Sequence, residues 1–85
     1  RPLFAFASYN AGTGNISRMR KEAANRGLDP DKWFNNVEVV TAEKLGIETT
    51  TYVRNIYKYY AAYKLQEEML AQRKKAREQL TPAGK

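Results

Sequence analysis

Tyr9 and Asn10 set a phenol beside a carboxamide at the end of an apolar run, and Gly12 and Gly14 follow closely. The run Leu3, Phe4, Ala5, Phe6, Ala7 is nearly continuous, as in a helix buried on most sides. Glycine reaches backbone conformations that other residues avoid. The segment Ala7-Ser8-Tyr9-Asn10-Ala11-Gly12-Thr13-Gly14 therefore predicts a helix stop and a tight turn. Asn10 can donate and accept hydrogen bonds, and Tyr9 offers a hydroxyl on a flat ring. The pair could serve a binding site. Equally, Asn10 could cap the helix end while Tyr9 fills the core.

The rest of the composition narrows the chemistry. The chain of 85 residues has no histidine and no cysteine. Serine–histidine and cysteine–histidine catalysis are impossible within it, and so are disulfides and thiolate metal sites. No metal site and no cofactor is expected. Hydrophobic residues make up 42% and aromatic residues 12%, enough to argue against disorder throughout. The net charge of +6 favours anionic partners, but acidic residues interrupt most of the basic ones, as on a solvated surface. No apolar stretch approaches the ~20 residues needed to span a bilayer. The chain starts within an apolar helix, which predicts a piece of a longer protein.

Five segments would position these residues. The first helix is predicted from about Leu3 to Asn10. Asn15 to Asn25 reads as a second, capped by Asn15 or Thr13, with Ile16, Met19 and Ala23 on one face and Gly27 as its stop. Asp29-Pro30 predicts a short helix from Asp31 to about Phe34 or Asn36, anchored by Trp33 and Phe34. Val37 to Val40 reads as an extended connector, after which Thr41 caps a helical turn through Leu45 that Gly46 ends. Glu48 to about Gln79 is the longest helix, with Tyr52, Ile56, Tyr59 and Tyr63 at helical spacing. Its second half is charged and predicted to project into solvent, and Leu80 to Lys85 reads as a tail.

Three pieces together resemble a known family. They are Ala7-Ser8-Tyr9-Asn10-Ala11-Gly12 with Gly14, Asp29-Pro30-Asp31-Lys32-Trp33-Phe34-Asn35-Asn36-Val37, and Glu48-Thr49-Thr50-Thr51-Tyr52-Val53-Arg54-Asn55-Ile56 with Tyr59-Tyr60. In this order they resemble the C-terminal half of the soluble-lytic-transglycosylase domain, within it the membrane-bound lytic murein transglycosylase F-like group. The resemblance covers roughly residues 3 to 66. It implies an all-α fold: the C-terminal helical portion of a lysozyme-like domain over residues 1–66, with a charged helical extension and tail over 67–85.

The resemblance also implies chemistry on peptidoglycan. A single glutamic acid protonates the oxygen between N-acetylmuramic acid and N-acetylglucosamine. The muramyl C6 hydroxyl then attacks C1 and leaves a 1,6-anhydro end, unlike the two-carboxylate scheme of most glycosidases. The acid belongs to an E-S motif upstream of the Tyr9-Asn10 motif, with a G-L-M-Q type motif between them. Neither occurs in this sequence. The chain is therefore expected to be inactive alone and to need the upstream half of its domain. By the resemblance, Tyr9, Asn10, Gly12 and Tyr52 line the glycan cleft, and Tyr9 and Tyr52 support the absent acid. Glu48 fits the positive end of a helix better than catalysis. The implied location is the periplasm or the periplasmic face of the outer membrane.

Two other readings compete. A small basic helical module could bind nucleic acid through a helix-turn-helix joined at Gly27, although Asp31-Lys32-Trp33-Phe34 is poor for reading bases. A structural module could associate with another copy through the long helix. Tyr52 could be a core tyrosine, Trp33 a core anchor in place of a sugar platform, and Lys74, Lys75 and Arg77 a solvated helix face.

Overall fold

The computed structural model describes residues 2–80 and is all-α among them. Four helices form: α1 (Pro2–Ala11), α2 (Thr13–Asn25), α3 (Glu38–Leu45) and α4 (Ile47–Leu80). Of the tail expected from Leu80 to Lys85, Leu80 is helical and ends α4, and 81–85 lie outside the described residues.

Gly12 makes the corner between α1 and α2. Its φ of 97° lies where only glycine sits without strain, so α2 starts at Thr13 with no side-chain cap. The expected caps are not used. Thr13 and Asn15 are helical residues, and the Asn15 amide instead donates back to the Ala11 carbonyl at 2.8 Å. Gly14 lies inside α2 and needs no special conformation. At the other end of α2, Gly27 at φ 83° closes the helix. Leu28 N–H reaches the Ala23 carbonyl at 2.8 Å, and Gly27 N–H reaches Ala24 at 3.0 Å. This paired closure satisfies carbonyls at the helix end, and it packs Leu28 against the core.

The segment after Gly27 departs from expectation. Asp29 does receive an N–H, from Asp31 at 2.9 Å, but no helix follows. The Asp29 carboxylate closes a local turn instead. Trp33–Val37 forms one wide turn, with Val37 N–H donating five residues back to Lys32 at 3.2 Å. Phe34 is extended within it, and Asn35 is left-handed at φ 62°, a region that asparagine tolerates. Val37 to Val40 is no extended connector: Val37 precedes α3, and Glu38–Val40 are its first turn. Burial overrides the β-branched preference here, because Val37 and Val40 are both fully buried.

The core is small: Ala7, Ile16, Met19, Ala23, Trp33, Val37, Val40 and Val53, drawn from every helix and the wide turn. Trp33 meets Phe4 edge-on with ring centroids 6.0 Å apart. The Arg20 guanidinium lies 4.7 Å over the other ring of that pair, Phe4, while its Nε donates to the Pro30 carbonyl at 2.9 Å and its Nη2 pairs with Asp31 at 2.7 Å. One arginine thereby ties α2 to α1 and to the loop beneath Trp33. The Glu38 carboxylate accepts the Asn35 N–H at 3.1 Å and faces Arg54 at 3.7 Å, linking the start of α3 to α4.

α4 has two halves of different character. Its 34 residues span roughly 51 Å at 1.5 Å per residue. The first half carries the buried Thr49, Thr50 and Val53, whereas every residue from 62 to 80 is exposed. The radius of gyration of 18.9 Å exceeds the about 12 Å of a compact chain this long, because that second half projects. The helix crosses the 66/67 boundary without a break.

Candidate functional site

The end of α1 and the start of α4 meet, and they bring Tyr9, Asn10 and Tyr52 together. α1 presents Tyr9 and Asn10 on its last turn, just before Gly12 stops it. α4 presents Thr49 and Tyr52 three residues apart, on one helix face. The Thr49 hydroxyl donates to Asn10 Oδ1 at 2.7 Å, and Thr49 is buried. The Tyr9 and Tyr52 rings lie nearly parallel, 24° apart, with centroids at 6.5 Å.

Exposure separates the roles of these residues. Tyr9 is 85% exposed, so it does not fill the core as the alternative reading would have it. Tyr52 is half-buried and packs against the core cluster, so it is both a helix-face core residue and the floor under Tyr9. Asn10 is exposed but oriented, because Thr49 holds its oxygen. With that oxygen engaged, the amide presents its N–H donors. The arrangement is an open aromatic surface with a fixed amide beside it. Thr49 escaped the sequence reading as a site residue; its place three residues before Tyr52 was the available signal.

Of the other candidates, Gly12 and Glu48 lie next to these residues in the chain, while Trp33 and the basic cluster belong to other parts of the fold. Gly12 is exposed at the α1–α2 corner, and a Cβ there would meet only Asn15 Nδ2 at 4.0 Å. Glu48 is exposed in the first turn of α4, at the positive end of the helix dipole. Trp33 is buried against Phe4 and has no face free for a sugar; its anchor role is what the fold uses. Lys74, Lys75 and Arg77 are exposed on the projecting half of α4. The helix-turn-helix reading loses its second helix, since residues 26–32 hold none and Trp33–Val37 is a turn. Beside the site, Phe6 and Tyr60 meet at 6.0 Å, and Tyr57 links Tyr60 to Phe34, extending an aromatic layer between α1, α4 and the wide turn.

Ionisable groups near the fold's edges are paired. Arg26 bridges Glu22 and Glu43, which fastens the end of α2 to α3. The Arg26 hydrogen bond holds the Glu43 carboxyl below its usual range. Among the described residues, no group of histidine, cysteine or acidic side chains could hold a metal ion.

The chain is similar to curated proteins. It is 36% identical over 73 aligned residues to the membrane-bound lytic murein transglycosylase F of Pseudomonas fluorescens, covering 71% of this chain and 15% of that protein. The protein of the same name from Marinobacter nauticus is 37% identical, over 71% of this chain and 14% of its own length. That from Desulfosudis oleivorans is 33% identical, over 71% and 16%. The chain thus spans about 15% of the length of these relatives. No family model matches it, and no solved structure does. Over 71% of its length the chain is thus similar to one segment of proteins named membrane-bound lytic murein transglycosylase F.

Proposed function

We propose that this relative of membrane-bound lytic murein transglycosylase F is part of an enzyme that cleaves peptidoglycan, and that it supplies one wall of the glycan cleft. The reaction breaks the bond between N-acetylmuramic acid and N-acetylglucosamine and leaves a 1,6-anhydro end. The observation that carries the reading is the exposed Tyr9 ring stacked on Tyr52 beside an Asn10 held by Thr49. Packing alone gives no reason to keep a tyrosine 85% exposed there. A ring face suits the apolar face of a sugar, and an oriented amide suits the carbonyl of an N-acetyl group.

In this reading the catalytic acid comes from outside this chain. A carboxyl that protonates a glycosidic oxygen near neutral pH must be held in a desolvated pocket. Among the described residues, Glu22, Glu38 and Glu43 are paired with arginines, and Glu48, Glu67, Glu68 and Glu78 are exposed. Glu43 is shifted the wrong way for a general acid. In this reading the 1–66 segment belongs to the transglycosylase domain and the sequence after it does not. The location that goes with the reading is the periplasm or the periplasmic face of the outer membrane. Among the described residues, no helix is long and apolar enough to cross a membrane.

Two measurements test this. The chain incubated with purified sacculi releases no anhydro-muropeptides; robust release would overturn the absence of the acid. Soluble glycan fragments shift the amide NMR signals of Tyr9, Asn10 and Tyr52 first. Shifts confined to other residues, or none at saturating glycan, would overturn the cleft.

A further inference from the structure

The second half of α4 carries an apolar stripe on the side facing away from the domain. The domain packs against the face of Thr49, Val53, Ile56 and Tyr60, residues repeating every three and four. Ala62 follows Val53 by roughly two and a half helical turns, which puts it on the opposite face. Leu65, Met69, Gln72 and Ala76 continue from Ala62 at the alternating three- and four-residue spacing of a coiled-coil seam. Leu80, roughly seven and a half turns after Val53, falls on the same outward side. Leu65 and Met69 are 58% and 52% exposed. A shallow concavity lined by Asn55, Lys58, Tyr59 and Ala62 begins this outward face, closer to the domain.

We propose that this stripe pairs with the stripe of a second copy of the chain, the two α4 halves running antiparallel. Charge selects both the partner and its direction. Glu67 and Glu68 precede the stripe's midpoint, and Arg73, Lys74 and Lys75 follow it. Antiparallel pairing sets the acidic pair of each copy against the basic cluster of the other, on both sides of the seam's midpoint. Parallel pairing stacks basic cluster on basic cluster. Glu68 and Lys75 flank the seam on the same side of the helix, where antiparallel partners meet. In this register Leu65 faces Ala76, large against small, and Met69 faces the equally long but polar Gln72. With alanine and glutamine in the seam, the pairing is weak and reversible, and the projecting half needs no contact with its own domain to make it.

Sedimentation velocity across a concentration series tests the proposal. The chain moves from monomer to dimer as concentration rises. Met69→Glu weakens the dimer at least tenfold without changing the helical content or the melting temperature of the domain. Glu68→Lys weakens it as well, and Glu68→Lys combined with Lys75→Glu restores it. A chain that stays monomeric at millimolar concentration would overturn the proposal, and so would a dimer indifferent to Met69→Glu. Failure of the double charge swap to restore pairing would overturn the antiparallel arrangement. A monomer that instead binds anionic vesicles through Arg73–Arg77 would show that the face serves a membrane surface, which also overturns it.

Discussion

The Thr49 hydroxyl donates a 2.7 Å hydrogen bond to Asn10 Oδ1, joining residues 39 apart in sequence and the ends of two helices. The bond decides which way the Asn10 amide faces. Its stability contribution is modest, because Asn10 is exposed and its oxygen can turn to water. Thr49→Val keeps the shape and removes the donor. We expect a loss of about 0.5–1.5 kcal/mol, a few degrees in melting temperature, by thermal unfolding. Glycan-induced shifts at Asn10 should fall by more than this loss explains, since the amide is released to rotate.

Gly14 inside α2 and Gly27 just beyond its end make opposite predictions. At Gly27 there is open space for a Cβ, but φ is +83°, so Gly27→Ala is strained by conformation alone. It should cost about 1–2 kcal/mol in urea unfolding. Gly14 also has open space, but it sits inside the helix. Gly14→Ala should stabilise by about 0.5–1 kcal/mol. Equal effects at the two positions would contradict the helix boundaries given for α2.

The Arg26–Glu43 pair gives a pH dependence with a defined sign. The pairing lowers the Glu43 pKa in the folded state. Its contribution is therefore fully present above the unfolded carboxyl value of about 4.3, and is lost as pH falls through the lower folded value. Glu43→Gln should flatten the fall of the urea midpoint on acidification below about pH 5, and should leave the slope near neutrality unchanged. The pair is exposed, so the change is small.

The helical segments with clear apolar periodicity were legible in the sequence. Ile16, Met19 and Ala23 do face the core, and Gly27 does close α2. The stretch from Asp29 to Val40 was not legible, for two physical reasons. Asp29-Pro30 can open a helix or close a local turn with the same side chain, and the turn is held by contacts from elsewhere, those of Arg20 to Pro30 and Asp31 and that of the Asp29 N–H to Asn36 Oδ1. Val37 to Val40 carries an extended preference that burial in the core outweighs. At the site, the spacing of Tyr9, Asn10 and Tyr52 within the resembling motifs named three of the residues that meet. Their meeting depends on the crossing of α1 and α4, which local sequence does not encode, and so Thr49 stayed hidden among three consecutive threonines.

Tyr9 and Tyr52 allow binding to be separated from folding. Tyr9 is almost free of the core, so Tyr9→Ala should change stability by no more than about 0.5 kcal/mol. It should still weaken the glycan-induced NMR shifts several-fold, because half of the stacked pair is gone. Tyr52→Ala removes a half-buried ring packed on the core and should lower both stability and glycan response. Tyr52→Phe keeps the ring and should restore stability, and any remaining deficit in glycan response then belongs to the hydroxyl. The decisive variant is Tyr9→Ala. If it unfolds the chain, the ring is structural despite its exposure. If stability and glycan response are both unchanged, the aromatic pair is not the sugar platform.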